Sequence, residues 1–111
     1  MPSLGKMTLK GASGKDYTFE VYHRSTEFKA LGAVYLISKR SPNPDGKGGT
    51  HTFLYLGETG DLSSRPLNHH KKQCFDKHGA DHVSVFLISD SQQRLDAETD
   101  LIRGHNLPCN G

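Results

Sequence analysis

The chain has only two cysteines, Cys74 and Cys109, and no apolar run approaches the length needed to span a membrane. Two cysteines allow at most one internal disulfide, which excludes the cross-linked scaffolds of small secreted proteins, and we expect both thiols to be reduced. The first ten residues also lack the apolar core of a signal peptide. Together these absences predict a soluble, cytoplasmic protein that does not enter a membrane.

The chain also carries little net charge. Its formal charge is +2 over 111 residues, so the overall charge gives little evidence for nucleic-acid binding. This length fits one domain and leaves no room for a separate recognition domain. Specificity must therefore come from this domain or from a protein partner, and the sequence does not indicate the oligomeric state.

Four segments have the patterns of β-structure. Residues 7–22 alternate apolar and polar side chains around a glycine-containing turn, which predicts a hairpin added at the sheet edge. Residues 33–38 and 53–57 are nearly continuous apolar runs, as expected of central strands covered on both faces. Residues 82–89 predict a third core strand.

Two segments predict helices. The first runs from a serine cap at 63–64 to about residue 78, where a glycine follows, and the second runs from a cap at 90–91 to about residue 104. The fold class is therefore α+β, a small antiparallel sheet of three core strands plus the N-terminal hairpin, flanked by helices. We expect residues 1–30 to form the hairpin extension and residues 31–111 the main domain.

A set of aromatic and polar residues is spread along this predicted fold. In chain order it comprises Ala33-Val34-Tyr35, Tyr55-Leu56-Gly57, Arg65, His69, Glu98 and Asn110. The order and spacing resemble the GIY-YIG endonuclease family, in which two strand tyrosines are followed by an arginine, a histidine, a glutamate and an asparagine. The resemblance covers residues 31–110, and Ala33 replaces the glycine of the first motif.

This resemblance implies a GIY-YIG-like fold and metal-dependent hydrolysis of nucleic-acid phosphodiesters, with DNA favoured over RNA. It implies that Glu98 holds one divalent cation, Mg²⁺ or Mn²⁺, whose other ligands are water and phosphate oxygens. It also implies that Tyr35 activates water, that Tyr55 orients water or phosphate, and that Asn110 buttresses the site.

Arg65 and His69 lie four residues apart, so they would share one face of the first predicted helix. The planar fork of donors on arginine suits the oxygens of a phosphate. A phenol with a pKa of about 10 is only about one thousandth ionised at pH 7, so we expect Tyr35 and His69 to act as a proton-transfer pair. Each of these residues taken alone would more often be structural.

Glu98 is the most informative carboxylate, because it would lie beside an apolar stripe on the second helix. That stripe is formed by Leu95, Leu101 and Ile102. Burying a carboxylate is costly without a compensating cation, so a metal ion or a salt bridge to Arg65 is expected. Asp96 and Asp100 point elsewhere on the helix, which disfavours a two-metal site.

Basic residues in two segments are candidates for contacts with nucleic acid. They are Lys39, Arg40, Lys47, His70, Lys71 and Lys72. The glycine- and proline-rich stretch 41–50 predicts either a flexible basic loop or an extended hairpin. The segment 65–78 predicts either a binding surface or an ordinary solvated helix face.

Two other functions fit the same sequence. The chain could be a non-catalytic nucleic-acid-binding module of this fold. It could also be a zinc-stabilised interaction domain. Four potential ligands form two pairs whose spacing is compatible with zinc: Cys74 with His78, and His105 with Cys109. The paired Cys-x-x-Cys motif that would strengthen the zinc hypothesis is absent.

Overall fold

The computed structural model describes residues 3–64 and 71–110, and within these residues the chain has an α+β fold. The strands are β1 (Gly5–Lys10), β2 (Asp16–His23), β3 (Ala33–Pro42), β4 (Gly49–Thr59) and β5 (His82–Leu87), and the helices are α1 (Lys72–Lys77) and α2 (Ser91–Gly104). The strands form one antiparallel sheet in the order β1-β2-β5-β3-β4. The predicted fold class is confirmed at this level.

Strand β3 is the centre of the fold. Residues 33–38 are all buried, as predicted from their apolar run, because β3 lies between β4 and β5 and both of its faces are covered. Tyr35 and Ile37 pack on one face with Phe75 of α1. Val34 and Leu36 pack on the other face with residues of α2. The alternation of side chains along β3 therefore separates two core layers.

Strand β4 differs from the prediction in position and in length. It is an edge strand of the described sheet, not a central one, and it begins at Gly49 instead of residue 53. Pairing between β3 and β4 continues outward to Pro42 and Gly49, so the stretch 41–50 is mainly an extended hairpin. The turn depends on Gly46 and Gly48, whose φ angles of 76° and 67° favour glycine.

The N-terminal hairpin is confirmed as an edge addition to the sheet, with β2 pairing to β5. Its turn is held to α2 by Asp100. The Asp100 carboxylate accepts hydrogen bonds from the Ser13 backbone N–H at 2.8 Å, from the Ser13 hydroxyl at 2.7 Å and from the Tyr17 hydroxyl at 2.9 Å. Asp100 therefore has a structural role on the hairpin side of the helix.

The second helix is confirmed, and Asp90 caps it by accepting a hydrogen bond from the Gln93 backbone N–H at 2.8 Å. Within the range predicted for the first helix, the described residues form α1 near its end, and a short 3₁₀ helix at Leu62–Ser64 lies at its start. Residues 65–70, which include three predicted site residues, lie outside the described part of the chain. None of the helices among the described residues is long and apolar enough to cross a membrane.

The prediction of reduced thiols is wrong for this structure. Cys74 and Cys109 form a disulfide with their Cα atoms 5.8 Å apart. The sequence could not reveal this bond, because the two residues are 35 positions apart and meet only when α1 and the C-terminal segment pack on the same side of the sheet. The bond ties α1 directly to the residue before Asn110.

Candidate active site

Tyr35 and Tyr55 come together over Gly57. Tyr35 on β3 lies directly opposite Gly57 on β4, and Tyr55 lies two residues before Gly57 on the same face. The two ring centroids are 6.0 Å apart, and the Tyr35 and Tyr55 hydroxyls are joined by a hydrogen bond. A methyl group at position 57 would lie only 2.7 Å from the Tyr35 hydroxyl oxygen and 2.8 Å from Cε1 of Tyr55. The glycine is thus required for the two phenols to meet.

The outer edge of β4 is covered by three residues that we call the edge cap: Glu98, Cys109 and Asn110. The Cys109 backbone N–H donates to the Leu54 carbonyl at 2.8 Å. The Asn110 side chain accepts from the Leu56 N–H and donates to the Leu56 carbonyl, both at 2.9 Å. The Glu58 backbone N–H donates to the Glu98 carboxylate. The edge cap therefore satisfies successive outward-facing backbone groups of β4 and brings Glu98 close to the phenols.

Asn110 holds the backbone between Tyr55 and Gly57, which fits its predicted buttressing position. Replacing Asn110 with aspartate keeps an acceptor for the Leu56 N–H but loses the donor to the Leu56 carbonyl. We expect this change to lower the free energy of unfolding by about 1–3 kcal/mol, measured by urea denaturation. The matched control is Asn106→Asp at an exposed position. Equal effects of both changes would contradict the buttressing role.

Glu98 is partly buried, and its pKa is raised first by burial and then by the negative charge of Glu58. The hydrogen bond from the Glu58 backbone opposes this shift only in part. Within residues 3–64 and 71–110, Glu98 forms no ion pair. Its carboxylate is therefore a site where a cation would relieve an electrostatic cost.

Two charged residues that were not predicted as site residues, Glu58 and Arg94, form an ion pair near this carboxylate. The Arg94 Nε donates to the Glu58 carboxylate at 2.9 Å, and Arg94 Nη1 donates to the backbone carbonyls of Ile88 and Ser89. Arg94 is only 8% exposed, whereas Leu95, expected in the buried stripe, is 45% exposed. Leu101 of the predicted stripe is buried as expected, but Arg94 and Ala97 occupy the rest of the buried face in place of Leu95. The spacing of Arg94 four residues before Glu98 was the available signal.

Both phenols are held in the neutral form by their surroundings. Burial raises the pKa of Tyr35 well above its ordinary value, and the neighbouring Tyr55, Glu98 and Glu58 raise it further. The pKa of Tyr55 is also raised, first by burial and then by Glu98. Among the described residues, the site therefore provides hydrogen-bonding phenols and not a ready phenolate base.

Those predicted nucleic-acid-binding residues that the structure describes do not lie on one surface. Lys39 runs past Gly79 at the end of α1, whereas Arg40, the next residue on β3, lies in a pocket on the opposite face beside His51 and His82. Lys72 forms an ion pair with Asp76 at 2.7 Å. Lys47 is exposed in the β3–β4 turn, and Lys71 lies at the N-terminal end of α1.

Three predicted site residues, Arg65, His69 and His70, lie outside the described residues. Both flanks of their segment belong to the face that carries the tyrosines. Leu62 before it and Phe75 after it are in the same core cluster as Tyr35, and the Phe75 ring centroid is 5.5 Å from that of Tyr55.

The four-residue zinc set is not assembled. Cys74, His78 and Cys109 lie together, with one potential ligand atom from each within 4.8 Å of the others. His105 lies elsewhere, with its Nε2 hydrogen-bonded to the Lys10 carbonyl at 3.0 Å and its ring against Phe53.

No protein-family model, curated protein or solved structure matched this chain. A function must therefore be inferred from the residues of the chain itself. Tyr35, Tyr55, Glu98 and Asn110 are all arranged around residues 55–58 of β4, and this group is the candidate active site.

Proposed function

We propose that this protein is a metal-dependent endonuclease that hydrolyses phosphodiester bonds of nucleic acid, with DNA as the favoured substrate. The observation that carries the proposal is the pairing of Tyr35 and Tyr55 over Gly57, with the Glu98 carboxylate hydrogen-bonded to the backbone of the next residue on β4, Glu58. Tyr35, Tyr55 and Glu98 are far apart in sequence and are the ones that the GIY-YIG resemblance assigns to catalysis. A catalyst of this reaction needs positioned donors and compensation for negative charge on the phosphate.

The donor set at Glu98 fits one hard divalent cation. The carboxylate is partly buried, a second carboxylate from Glu58 raises its pKa, and Glu58 itself is paired with Arg94. Mg²⁺ is commonly held by one or two carboxylates, with water and substrate phosphates as the remaining ligands. Glu98 would hold the Mg²⁺ or Mn²⁺ ion, which when bound would offset charge that develops on the phosphate.

The phenols would position the reactants in their neutral form. The Tyr35 hydroxyl is hydrogen-bonded to the Tyr55 hydroxyl, and the raised pKa of Tyr35 opposes its ionisation. We therefore assign Tyr35 to orienting the attacking water, Tyr55 to orienting water or phosphate, and His69 to accepting the proton. Arg65 would neutralise the phosphate oxygens through its planar fork of donors.

The supply of Arg65 and His69 to this site is supported by the residues that flank them. Leu62 and Phe75, which lie on either side of residues 65–70 in the sequence, pack in the same core layer as Tyr35. Lys39 passes the end of α1 on this side as well, where it could contact the phosphate backbone.

We also expect a protein partner for substrate choice and a location in the cytoplasm. Substrate choice beyond DNA would come from a protein partner, since the described residues form one small α+β unit. The protein would act in the cytoplasm, so the state of the Cys74–Cys109 disulfide would depend on the thiol reductants of that compartment. Mass spectrometry of rapidly alkylated cells would measure that thiol state.

Nicking of supercoiled plasmid tests the proposed activity. The wild type is expected to convert supercoiled DNA to open circles with Mg²⁺ or Mn²⁺, and a chelator should stop the reaction. The variant Tyr35→Phe should be strongly impaired, while Asp96→Asn, which changes an exposed carboxylate on the same helix, should retain activity. Nicking that survives Tyr35→Phe and Glu98→Gln would point to a contaminant. Binding of DNA and RNA without cleavage would favour the non-catalytic module.

A further inference from the structure

Three soft or borderline metal ligands converge on the side of the sheet that carries α1. Cys74 on α1, Cys109 in the C-terminal segment and His78 just after α1 each offer an atom within 4.8 Å of the other two. His78 lies one helical turn after Cys74, and its backbone N–H donates to the Cys74 carbonyl at 3.1 Å. That bond fixes both side chains on the same side of the helix end.

We infer that, when the disulfide is reduced, Cys74, His78 and Cys109 bind one Zn²⁺ ion, with a water molecule as the fourth ligand. Two thiolates and one imidazole form a ligand set typical of zinc, and three protein ligands plus water is the arrangement of an open zinc site. This site is separate from Glu98 and takes a softer metal than Mg²⁺. The inference does not depend on the proposed nuclease activity.

The backbone spacing suits both states of the cysteine pair. Zinc–sulfur bonds of about 2.3 Å in a tetrahedral site place the two sulfurs about 3.8 Å apart. The Cα atoms of Cys74 and Cys109 are 5.8 Å apart, so side-chain rotation can part the sulfurs by this amount. Cys74 is partly exposed and Cys109 is buried, so Cys74 is the sulfur that a reductant can reach.

Opening the Cys74–Cys109 disulfide for zinc binding requires a reductant, such as a dithiol. A dithiol breaks the S–S bond, transfers two electrons to the protein sulfurs and becomes a disulfide, leaving the thiols of Cys74 and Cys109. Zn²⁺ then replaces the two thiol protons, which are released to solvent. The oxidised protein has no thiolate to offer and should not bind the ion at this site.

Cobalt binding provides a direct test, because Co²⁺ in a thiolate site absorbs visible light and Zn²⁺ displaces it. Protein reduced with a phosphine should bind one Co²⁺ per chain with a thiolate-to-cobalt band, and oxidised protein should give no band. The change His78→Gln should weaken binding by about 100-fold. The matched control His105→Gln, as well as Glu98→Gln, should leave the band unchanged.

Three results would overturn the inference. They are the absence of a thiolate band in reduced protein, equal losses in His78→Gln and His105→Gln, and loss of the band in Glu98→Gln. Near-UV circular dichroism covers the case in which reduction unfolds the chain. Zn²⁺ should then restore the native spectrum, and a chain that stays unfolded with equimolar Zn²⁺ contradicts the site.

Discussion

Replacing Glu98 with glutamine is expected to lower Mg²⁺-dependent nicking by at least about 100-fold while leaving the protein as stable as the wild type or more stable. Glutamine keeps an oxygen that can accept the hydrogen bond from the Glu58 backbone. It removes a negative charge that the proposed cation needs. A residue with only a structural role would lose stability together with activity.

The expected gain in stability follows from the sign of the pKa shift. Burial and the charge of Glu58 raise the pKa of Glu98 in the folded protein, so the folded state holds this proton more tightly than the unfolded state. The favourable contribution of the protonated form is present at low pH and is lost as the pH rises through the folded-state pKa. At neutral pH in a chelator, the ionised side chain is thus a cost that Glu98→Gln removes.

Thermal unfolding at neutral pH, with chelator and then with Mg²⁺, measures both effects. Mg²⁺ should raise the Tm of the wild type and of the control Asp96→Asn, but not that of Glu98→Gln, because a ligand stabilises only the protein that binds it. A clear fall in Tm for Glu98→Gln in chelator would assign this residue to stability instead of metal binding.

The change Gly57→Ala is expected to lower the free energy of unfolding by about 1–3 kcal/mol and to reduce nicking as well. The new methyl group would lie 2.7 Å from both Cζ and the hydroxyl oxygen of Tyr35, well inside contact distance. Tyr35 is buried, so its ring can move only by disturbing the core and its hydrogen bond to Tyr55. Urea denaturation and plasmid nicking measure the two losses.

Gly60→Ala is the matched control, because among the described residues its methyl group would meet only the end of the Arg94 side chain, at 3.4 Å. The double change Gly57→Ala with Tyr35→Phe should cost less stability than the sum of the two single changes, since it removes one clashing atom. Strict additivity, or a Gly57→Ala protein as stable as the control, would show that the close approach over Gly57 is not required.

Local sequence patterns predicted the elements of this fold better than their arrangement. The apolar run at 33–38 identified β3, and the alternation at 7–22 identified the N-terminal hairpin. A strand buried on two faces needs apolar residues throughout, and a strand buried on one face needs them at every second position. Strand β4 was predicted to be central because residues 53–57 are apolar. Its edge position depends on the edge cap, which is contributed by residues about 40 or more positions later.

The candidate site could be predicted only at positions that belong to the family motif. Tyr35, Tyr55 and Glu98 were selected by resemblance and lie together, whereas Glu58 and Arg94 were missed. Arg94 occupies a buried helix position that is usually apolar, and its neighbour Leu95 is exposed, so apolar periodicity predicted Leu101 correctly but not the buried arginine. The contact between Cys74 and Cys109 likewise arises only from tertiary packing.

The edge cap also has a consequence for self-association. Leu54 and Leu56 have their outward-facing backbone groups bonded to Cys109 and Asn110 within the same molecule. Removal of Cys109 and Asn110 by proteolysis would leave β4 with a row of open donors and acceptors, which is a template for joining sheets between molecules. Trimmed preparations would therefore be the ones that polymerise.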